Sequence, residues 1–409
     1  MKLIRSTNTK ELEKICSRYL LRRKRIEETV RNIIENVRIL GDDALIKYTR
    51  RFDKVKIFAK NIRVTQAEIS GAYQNISPDF VQNLKLVIEN VNKFYQKQVK
   101  KSWKIKDEDG VVLGEKVSAI ENVGIYIPAG TAPLVSSVYM TVLPAKMAGV
   151  KRIALASPPD KNGNINPHIL VVADLLKVNE IYKVGGAQAI AALSFGTKTI
   201  LKVDKIVGPG NNYVTEAKRQ VFGFVGIDMV AGPTELVIIA NHNVNLEYVC
   251  ADLAAQAEHL AGLAILVTPS RQLAREVKDK VPSGYIVLVK NLNEAAEVSN
   301  RIAPEHLQLM VKNPKKILPK IKNAGAVFLG DFTPTAVGDY MAGPSHVLPT
   351  TGTARFFSGL SLTDFLKSSH IISYSRRALE KIKTPLGKLA AIEGLTKHAE
   401  SVKIRFEEK

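Results

Sequence analysis

Across the first hundred residues, apolar positions recur at intervals of three and four. Both "IEETVRNIIENVRILGDDALIKYTRRF" and "SPDFVQNLKLVIENVNKFYQKQV" keep this rhythm, which predicts helices from about Glu11 to Lys106. Ser77 offers a side-chain oxygen to cap a helix start, and Pro78 presets its first turn. From Val123 the pattern changes. Short apolar runs ("NVGIYI", "RIALAS", "EIYKV", "KIVG") alternate with the helical stretches "SSVYMTVLPAKMAG", "HILVVADLLKV", "AIAALSFG" and "NYVTEAKRQVFG". A second series opens near Glu235. Strands "ELVIIA", "LAILVTP", "YIVLV", "HLQLMV" and "GAVFLG" are separated there by "NLEYVCADLAAQAEHL", "SRQLAREVKDK", "LNEAAEVSNRI" and "PKKILPKIKNA". Strands that are apolar throughout and alternate with helices predict parallel sheets covered on both faces. The fold class expected is therefore α/β, with two successive units, a cleft, and ligands beyond the carboxyl ends of the strands. The residues from about Ser361 onward read as helical and lie outside both units.

Composition narrows the class. With 45% hydrophobic and 24% charged residues, the 409-residue chain reads as globular and as more than one domain. Two cysteines, Cys16 and Cys250, are too few for a disulfide framework and point to a reducing, cytoplasmic setting. No apolar run is long enough to predict a membrane span, and the charged first 25 residues show no signal-peptide core. The net charge of +20 attracts anionic ligands, but the basic residues are spread along the chain; only 20–25, "LLRRKR", is dense. One Trp and 6% aromatic residues leave few stacking platforms, so a nucleic-acid partner is not expected.

Several stretches could carry chemistry. The turns "IPAGTAP", "VGGAQAI" and "VGPGNNYVTEAK" each join a strand to a helix, where glycine lets a ligand approach the backbone and free amides favour an anion. None spells the dinucleotide fingerprint, and tight strand–helix packing alone would also use these glycines. In "AAQAEHL", Gln256 and His259 are three apart and share a helical face, where an imidazole and an amide oxygen could ligate a metal. A hydrogen-bonded structural histidine would explain the same letters. "IAPEHLQLM" places Glu305 and His306 at the start of a strand. Adjacent strand residues point to opposite sides, so the two are not expected to share a proton; they suit two successive acid–base steps. "GDFTPTAVGDYMAGPSHVLPTTGTARF" is a long glycine- and proline-rich loop carrying Asp339, a candidate metal carboxylate, and His346. Glu393 and His398 in "IEGLTKHAESVKIR" are five apart and share no single helical face.

Taken together, "GIYIPAGTAP", "GGAQAIAAL", "GPGNNYVTEAKRQVFG", "AGPTELVIIA", "AAQAEH", "APEHL", "GDYMAGPSHVLPTTGTAR" and "EGLTKHAESVKIR" resemble the histidinol dehydrogenase family, in that family's order over roughly Val123 to Arg405. The resemblance implies a zinc- and NAD-dependent enzyme that oxidises L-histidinol to L-histidine through a bound aldehyde, the last step of histidine biosynthesis. It implies zinc held by Gln256, His259 and Asp339, with His398 supplied by the other chain of a homodimer whose active sites are shared. It implies His306 as the base for the alcohol proton and Glu305 as the activator of water. NAD contacts fall on Tyr126, Gln188 and Asn211. Substrate contacts fall on Thr234, Gln256, His259, His306, Asp339, His346, Glu393 and His398.

The fold implied is two incomplete Rossmann-like lobes. Residues 1–22 would be a helical arm. Residues 23–122 and 235–358 would form the lobe with the metal and catalytic residues, and 123–234 the NAD lobe. Residues 359–409 would be a helical segment reaching the partner. Two departures from the family pattern stand out. Thr234 replaces an expected serine, and Ala129 replaces a glycine in the first turn. The competing reading is a paralogous zinc- and NAD-dependent dehydrogenase acting on another small hydroxylated compound.

Overall fold

The computed structural model describes residues 1–17, 24–129, 132–178, 180–259 and 261–407. Most of the basic run 20–25, residues 130 and 131 of the first glycine turn, and residue 260 lie outside them. The chain divides into two compact units, Met1–Gln98 with Ile120–Phe365, and Val99–Ala119 with Leu366–Lys409.

The first unit opens with β1 (Lys2–Arg5), followed by α1 (Thr9–Cys16), α2 (Lys24–Leu40), α3 (Asp42–Phe52), α4 (Gln66–Tyr73) and α5 (Pro78–Tyr95). In the second unit, β2 (Trp103–Lys106) and β3 (Val112–Ala119) come next. The first unit resumes with β4 (Asn122–Tyr126), α6 (Val135–Met147), β5 (Arg152–Ser157), α7 (Pro167–Leu175), β6 (Glu180–Lys183), α8 (Gly186–Phe195), β7 (Lys205–Val207), α9 (Asn212–Val221) and β8 (Gly226–Ile227). The later series is β9 (Glu235–Ala240), α10 (Leu246–Ala257), β10 (Leu263–Thr268), α11 (Arg271–Lys280), β11 (Tyr285–Leu288), α12 (Leu292–Ile302), β12 (His306–Met310), α13 (Pro314–Ile317), β13 (Ala326–Leu329) and α14 (Thr335–Tyr340). In the second unit, β14 (Leu366–Ser373), α15 (Arg376–Ile392) and α16 (Thr396–Lys403) end the chain.

Two all-parallel sheets form the first unit. One runs β6-β5-β4-β7-β8, the other β1-β11-β10-β9-β12-β13. The first starts in the middle at β4, winds outward, then returns to the other side of that strand; the second does the same from β9, after β1 has supplied its edge. Strands such as β9 are buried at every position, as expected of sheets covered on both faces. Removing each such Val or Ile from water stabilises the fold by roughly 1.5–3 kcal/mol. Caps fix the helix starts. Ser77 accepts the Phe80 N–H ahead of Pro78, and Thr65 and Glu68 form a reciprocal capping box.

Several expectations give way. Residues 2–5 are a strand, not part of a helical arm: β1 adds in parallel to the β11 edge, satisfying that edge's backbone groups. Helices α2 to α5, expected with the catalytic lobe, pack on α6 to α9 of the five-stranded sheet. There Val30, Ile33 and Val37 join the core around Tyr126 and Ala154. The helical rhythm does not extend to Lys106. β2, β3 and β14 pair antiparallel in the second unit, so the C-terminal segment begins as a strand. β14 meets its partner 247 to 261 residues away in sequence, Leu366 opposite Ala119 and Ser373 opposite Val112; local periodicity carries no trace of such pairing. Among the described residues no helix is long and apolar enough to cross a membrane.

Candidate active site

The expected acid–base residues stand at the amino end of their sheet. Glu305 precedes β12, and His306 is its first residue, opposite Leu236 of β9. The helix before them stops at Ala303, which takes a left-handed conformation. This overturns the rule that ligand sites lie beyond the strands' carboxyl ends, as far as this pair is concerned. It also overturns the expectation that the two side chains point apart. Glu305 lies outside the strand, so its side chain is free of the pleat. One carboxylate oxygen accepts the Glu235 N–H at 3.1 Å and lies 3.6 Å from His306 Nδ1. The Thr234 hydroxyl also hydrogen-bonds this carboxylate. Burial pushes the Glu305 carboxyl up from the usual carboxylate range, against the pull of His306.

His306 is 5% exposed, and neither ring nitrogen has a hydrogen-bond partner. Nε2 lies 3.5 Å from Asp339 Oδ1, too long for a hydrogen bond but close enough for charge to act. Burial opposes protonation of His306, yet Glu305 and Asp339 outweigh it and hold the ring at about 9. Burial likewise opposes the charge on Asp339, while His306, His346 and His259 keep its carboxyl below the usual range.

The loop that presents Asp339 is held from several sides. His346 Nδ1 lies 3.0 Å from the Asp339 carbonyl, and Nε2 lies 3.0 Å from Ser137 Oγ on α6. A carbonyl only accepts, so Nδ1 carries the proton, and a neutral Nε2 accepts from Ser137. Burial lowers the ring's pKa, in keeping with that neutral form. Tyr95, fully buried on α5, accepts the Ser345 N–H and donates to the Leu360 carbonyl, and Asn90 Nδ2 donates to the Met341 carbonyl. Ser137, His346, Asp339 and His306 thus form a chain from the helix after β4 to the amino end of β12.

Gln256 is 4% exposed near the end of α10, and its Nε2 donates to Thr234 Oγ1 at 3.3 Å. Thr234 links this amide to the Glu305 carboxylate, and the amide oxygen is left for another partner. His259 falls two residues beyond the last residue of α10, in an exposed turn closed by the Gly262 N–H to the His259 carbonyl. The shared helical face expected for the pair is therefore not what places His259; the turn does. An imidazole, an amide oxygen and a carboxylate are all donors that zinc accepts, so the three residues have the chemistry of a divalent-metal set. Among the described residues, no group of three or more His, Cys, Asp and Glu side chains is gathered closely enough to hold one; this set draws on an amide as well.

Two of the three glycine turns lie at the carboxyl ends of β4 and β7, where the strand order reverses, as expected for open parallel sheets, and the third follows the edge strand β6. Tyr126 ends β4, buried, and its hydroxyl accepts the Gly186 N–H at 3.0 Å. Burial pushes its pKa up to about 12, so it keeps a proton to donate. Gln188 is 1% exposed, and its buried Oε1 has no partner. Asn211 caps α9, accepting from the Tyr213 and Val214 N–H groups. Gly208 has φ +116, and a Cβ there would stand 2.2 Å from the Tyr126 carbonyl oxygen, so only glycine brings these two turns together. In the second unit, Glu393 and His398 are exposed and line one open groove of 530 Å³ with Leu389 and Leu395.

The family model for histidinol dehydrogenase matches residues 17–406. The chain belongs to the histidinol dehydrogenase family. It is 49% identical over 400 residues to the histidinol dehydrogenase of Clostridium acetobutylicum, covering 93% of this chain and 92% of that one. It is 48% identical over 422 residues to that of Caldanaerobacter subterraneus subsp. tengcongensis, covering 97% and 98%. A crystal structure of histidinol dehydrogenase from Elizabethkingia anophelis superposes with a TM-score of 0.92 at 37% identity, over 99% of this chain and 98% of that one. The protein is thus an oxidoreductase of histidine biosynthesis. For a histidinol dehydrogenase, sequence reading leaves out four residues that the fold brings to the site: Ser137, Asp252, Gln308 and Lys218. Ser137 meets His346 across 209 positions and Gln308 meets Asp252 across 56, while Lys218 meets Gly208 only 10 away but off any helical or strand register, so no spacing in the chain announces them.

Proposed function

We propose that this member of the family oxidises L-histidinol to L-histidine in two hydride transfers to NAD, with the aldehyde kept on the protein between them. The observation that carries this reading is the buried His306, whose two unbonded ring nitrogens lie beside Glu305 and Asp339. In the first step His306 would take the alcohol proton as the carbinol carbon is oxidised, with bound NAD supplying the hydride acceptor. Water then adds to the aldehyde with Glu305 as base. Loss of a hydroxyl proton from the hydrate together with a second hydride, for which NAD would be the acceptor, would give the acid. One water is consumed, and two NADH are formed.

Gln256, His259 and Asp339 would hold zinc, with His398 of a second copy completing the set. Bound there, zinc would supply a positive charge that anchors the substrate nitrogens and competes for the Asp339 carboxylate, relieving its hold on the His306 proton. Thr234 keeps Gln256 and Glu305 in register, and His346 sets the loop beneath Asp339. Tyr126, Gln188 and Asn211 would receive NAD at the reversal of the five-stranded sheet; the unpartnered Gln188 oxygen supports a ligand there. Glu393 and His398 would reach the substrate of the other copy, a homodimer supported by the exposed apolar Leu389, Ile392, Leu395 and Ile404.

The test is stoichiometric. NADH is counted per L-histidinol consumed, before and after chelation. Two per substrate, lost with the metal and restored by zinc, is the expected result. Oxidation of other small alcohols with none of histidinol would overturn the assignment.

A further inference from the structure

Gln308 is a polar side chain in a strand that otherwise needs none. It lies on β12 with no exposed surface, between Leu307 and Leu309, two residues after His306 and therefore on the same face. A leucine would satisfy the packing there, and burying an amide is costly unless it is bonded. Only its nitrogen is bonded; Oε1 has no partner. Nε2 donates to Asp252 Oδ2 at 2.7 Å and to the Thr333 carbonyl at 3.3 Å. Both partners are acceptors, so the amide is oriented by what it holds.

What it holds are the two elements that carry the candidate metal ligands. Asp252 lies one helical turn before Gln256 on α10, so the two share a face. Thr333 leads into α14, which ends one residue after Asp339, and its own hydroxyl donates to the Leu329 carbonyl at the end of β13. One amide thus joins α10, the loop before α14 and the strand that begins at His306.

We infer that Gln308 and Asp252 are positioning residues that set the distance between Gln256 and Asp339 and thereby the geometry of the metal site. The inference rests on the zinc reading above. Such supporting bonds around metal ligands typically contribute about 10- to 100-fold in affinity.

The experiment compares wild type with Asp252→Ala, Asp252→Asn and Gln308→Leu. Zinc affinity is measured by competition with a chromophoric chelator, the visible spectrum is recorded after cobalt(II) substitution, and thermal unfolding is followed without metal. Asp252 is half-buried whereas Gln308 has no exposed surface, so the Asp252 variants should fold even if Gln308→Leu does not. Asp252→Ala and Gln308→Leu should bind zinc about 10- to 100-fold more weakly with an altered cobalt spectrum, while Asp252→Asn, whose Oδ1 still accepts from Gln308, stays near wild type. Wild-type affinity and spectrum in Asp252→Ala would overturn the inference and leave the functional reading standing. An Asp252→Asn variant as weak as the alanine would also overturn it, since charge rather than the hydrogen bond would then matter. A wild-type protein that takes up no zinc overturns the functional reading, and this inference with it.

Discussion

Lys218 and Asp228 form an ion pair with almost no solvent exposure, and between them they hold both the N–H and the carbonyl of Gly208 in the turn after β7. Lys218 Nζ donates to the Gly208 carbonyl at 2.9 Å, Asp228 Oδ2 accepts the Gly208 N–H at 2.8 Å, and Asp228 Oδ1 accepts the Met229 N–H at 2.7 Å. The pair acts as one unit beneath the turn that touches Tyr126.

Lys218→Met should destabilise the protein by about 3–5 kcal/mol, because Asp228 is left charged and unpaired in the interior. Urea unfolding measures this. Replacing both residues with apolar side chains should recover part of the loss, since no charge then remains buried. A double variant less stable than the sum of the singles would contradict the account.

His306→Ala should slow the first oxidation by roughly 10²- to 10⁴-fold, the range for a lost general base. Glu305→Gln should bind histidinol normally yet stall at the aldehyde. Single-turnover assays started separately from the alcohol and from the aldehyde separate the two steps. Unchanged turnover of aldehyde by the Gln variant would remove the role given to Glu305.

Chelation should abolish NADH formation, by on the order of 100-fold or more if zinc supplies the several kcal/mol expected of a bound cation. Added zinc should restore it. Full activity in demonstrably metal-free protein would show that Gln256, His259 and Asp339 serve something else.

Asp53, after α3, is held at about 6 by burial, above the ordinary aspartate value, and its Oδ2 has no partner. The folded protein therefore binds this proton more tightly than the unfolded chain. The stabilisation is complete below about pH 4 and is lost as pH rises through the folded value. Asp53→Asn removes the dependence. It should be more stable than wild type at pH 8 by about 1–2 kcal/mol, allowing for solvent screening of a partly exposed group, and equal near pH 4. Urea midpoints at the two pH values check this; an equal difference at both would point to some other cause.

Apart from the short edge strand β8, the succession of strands and helices from Asn122 to Leu329 was legible because it is local. Apolar runs bounded by glycine, and caps such as Ser77, express themselves within a few residues. Family membership was legible for a related reason: the motifs are short, contiguous and in order. The placement of β1, β2, β3 and β14 was not, since short or edge strands owe their form to partners distant in the chain. Nor was the approach of Glu305 to His306, which depends on Glu305 standing just outside the strand and on the amide of Glu235.

By itself, then, the chain's order of residues determined an α/β protein of this family. Tertiary structure alone decided how its buried polar side chains are held: Gln308 against Asp252, His346 against Ser137, Lys218 beneath Gly208. The reason is physical. Periodicity and turn chemistry act over a few bonds, whereas a buried polar group is stable only beside a partner that folding brings to it from elsewhere.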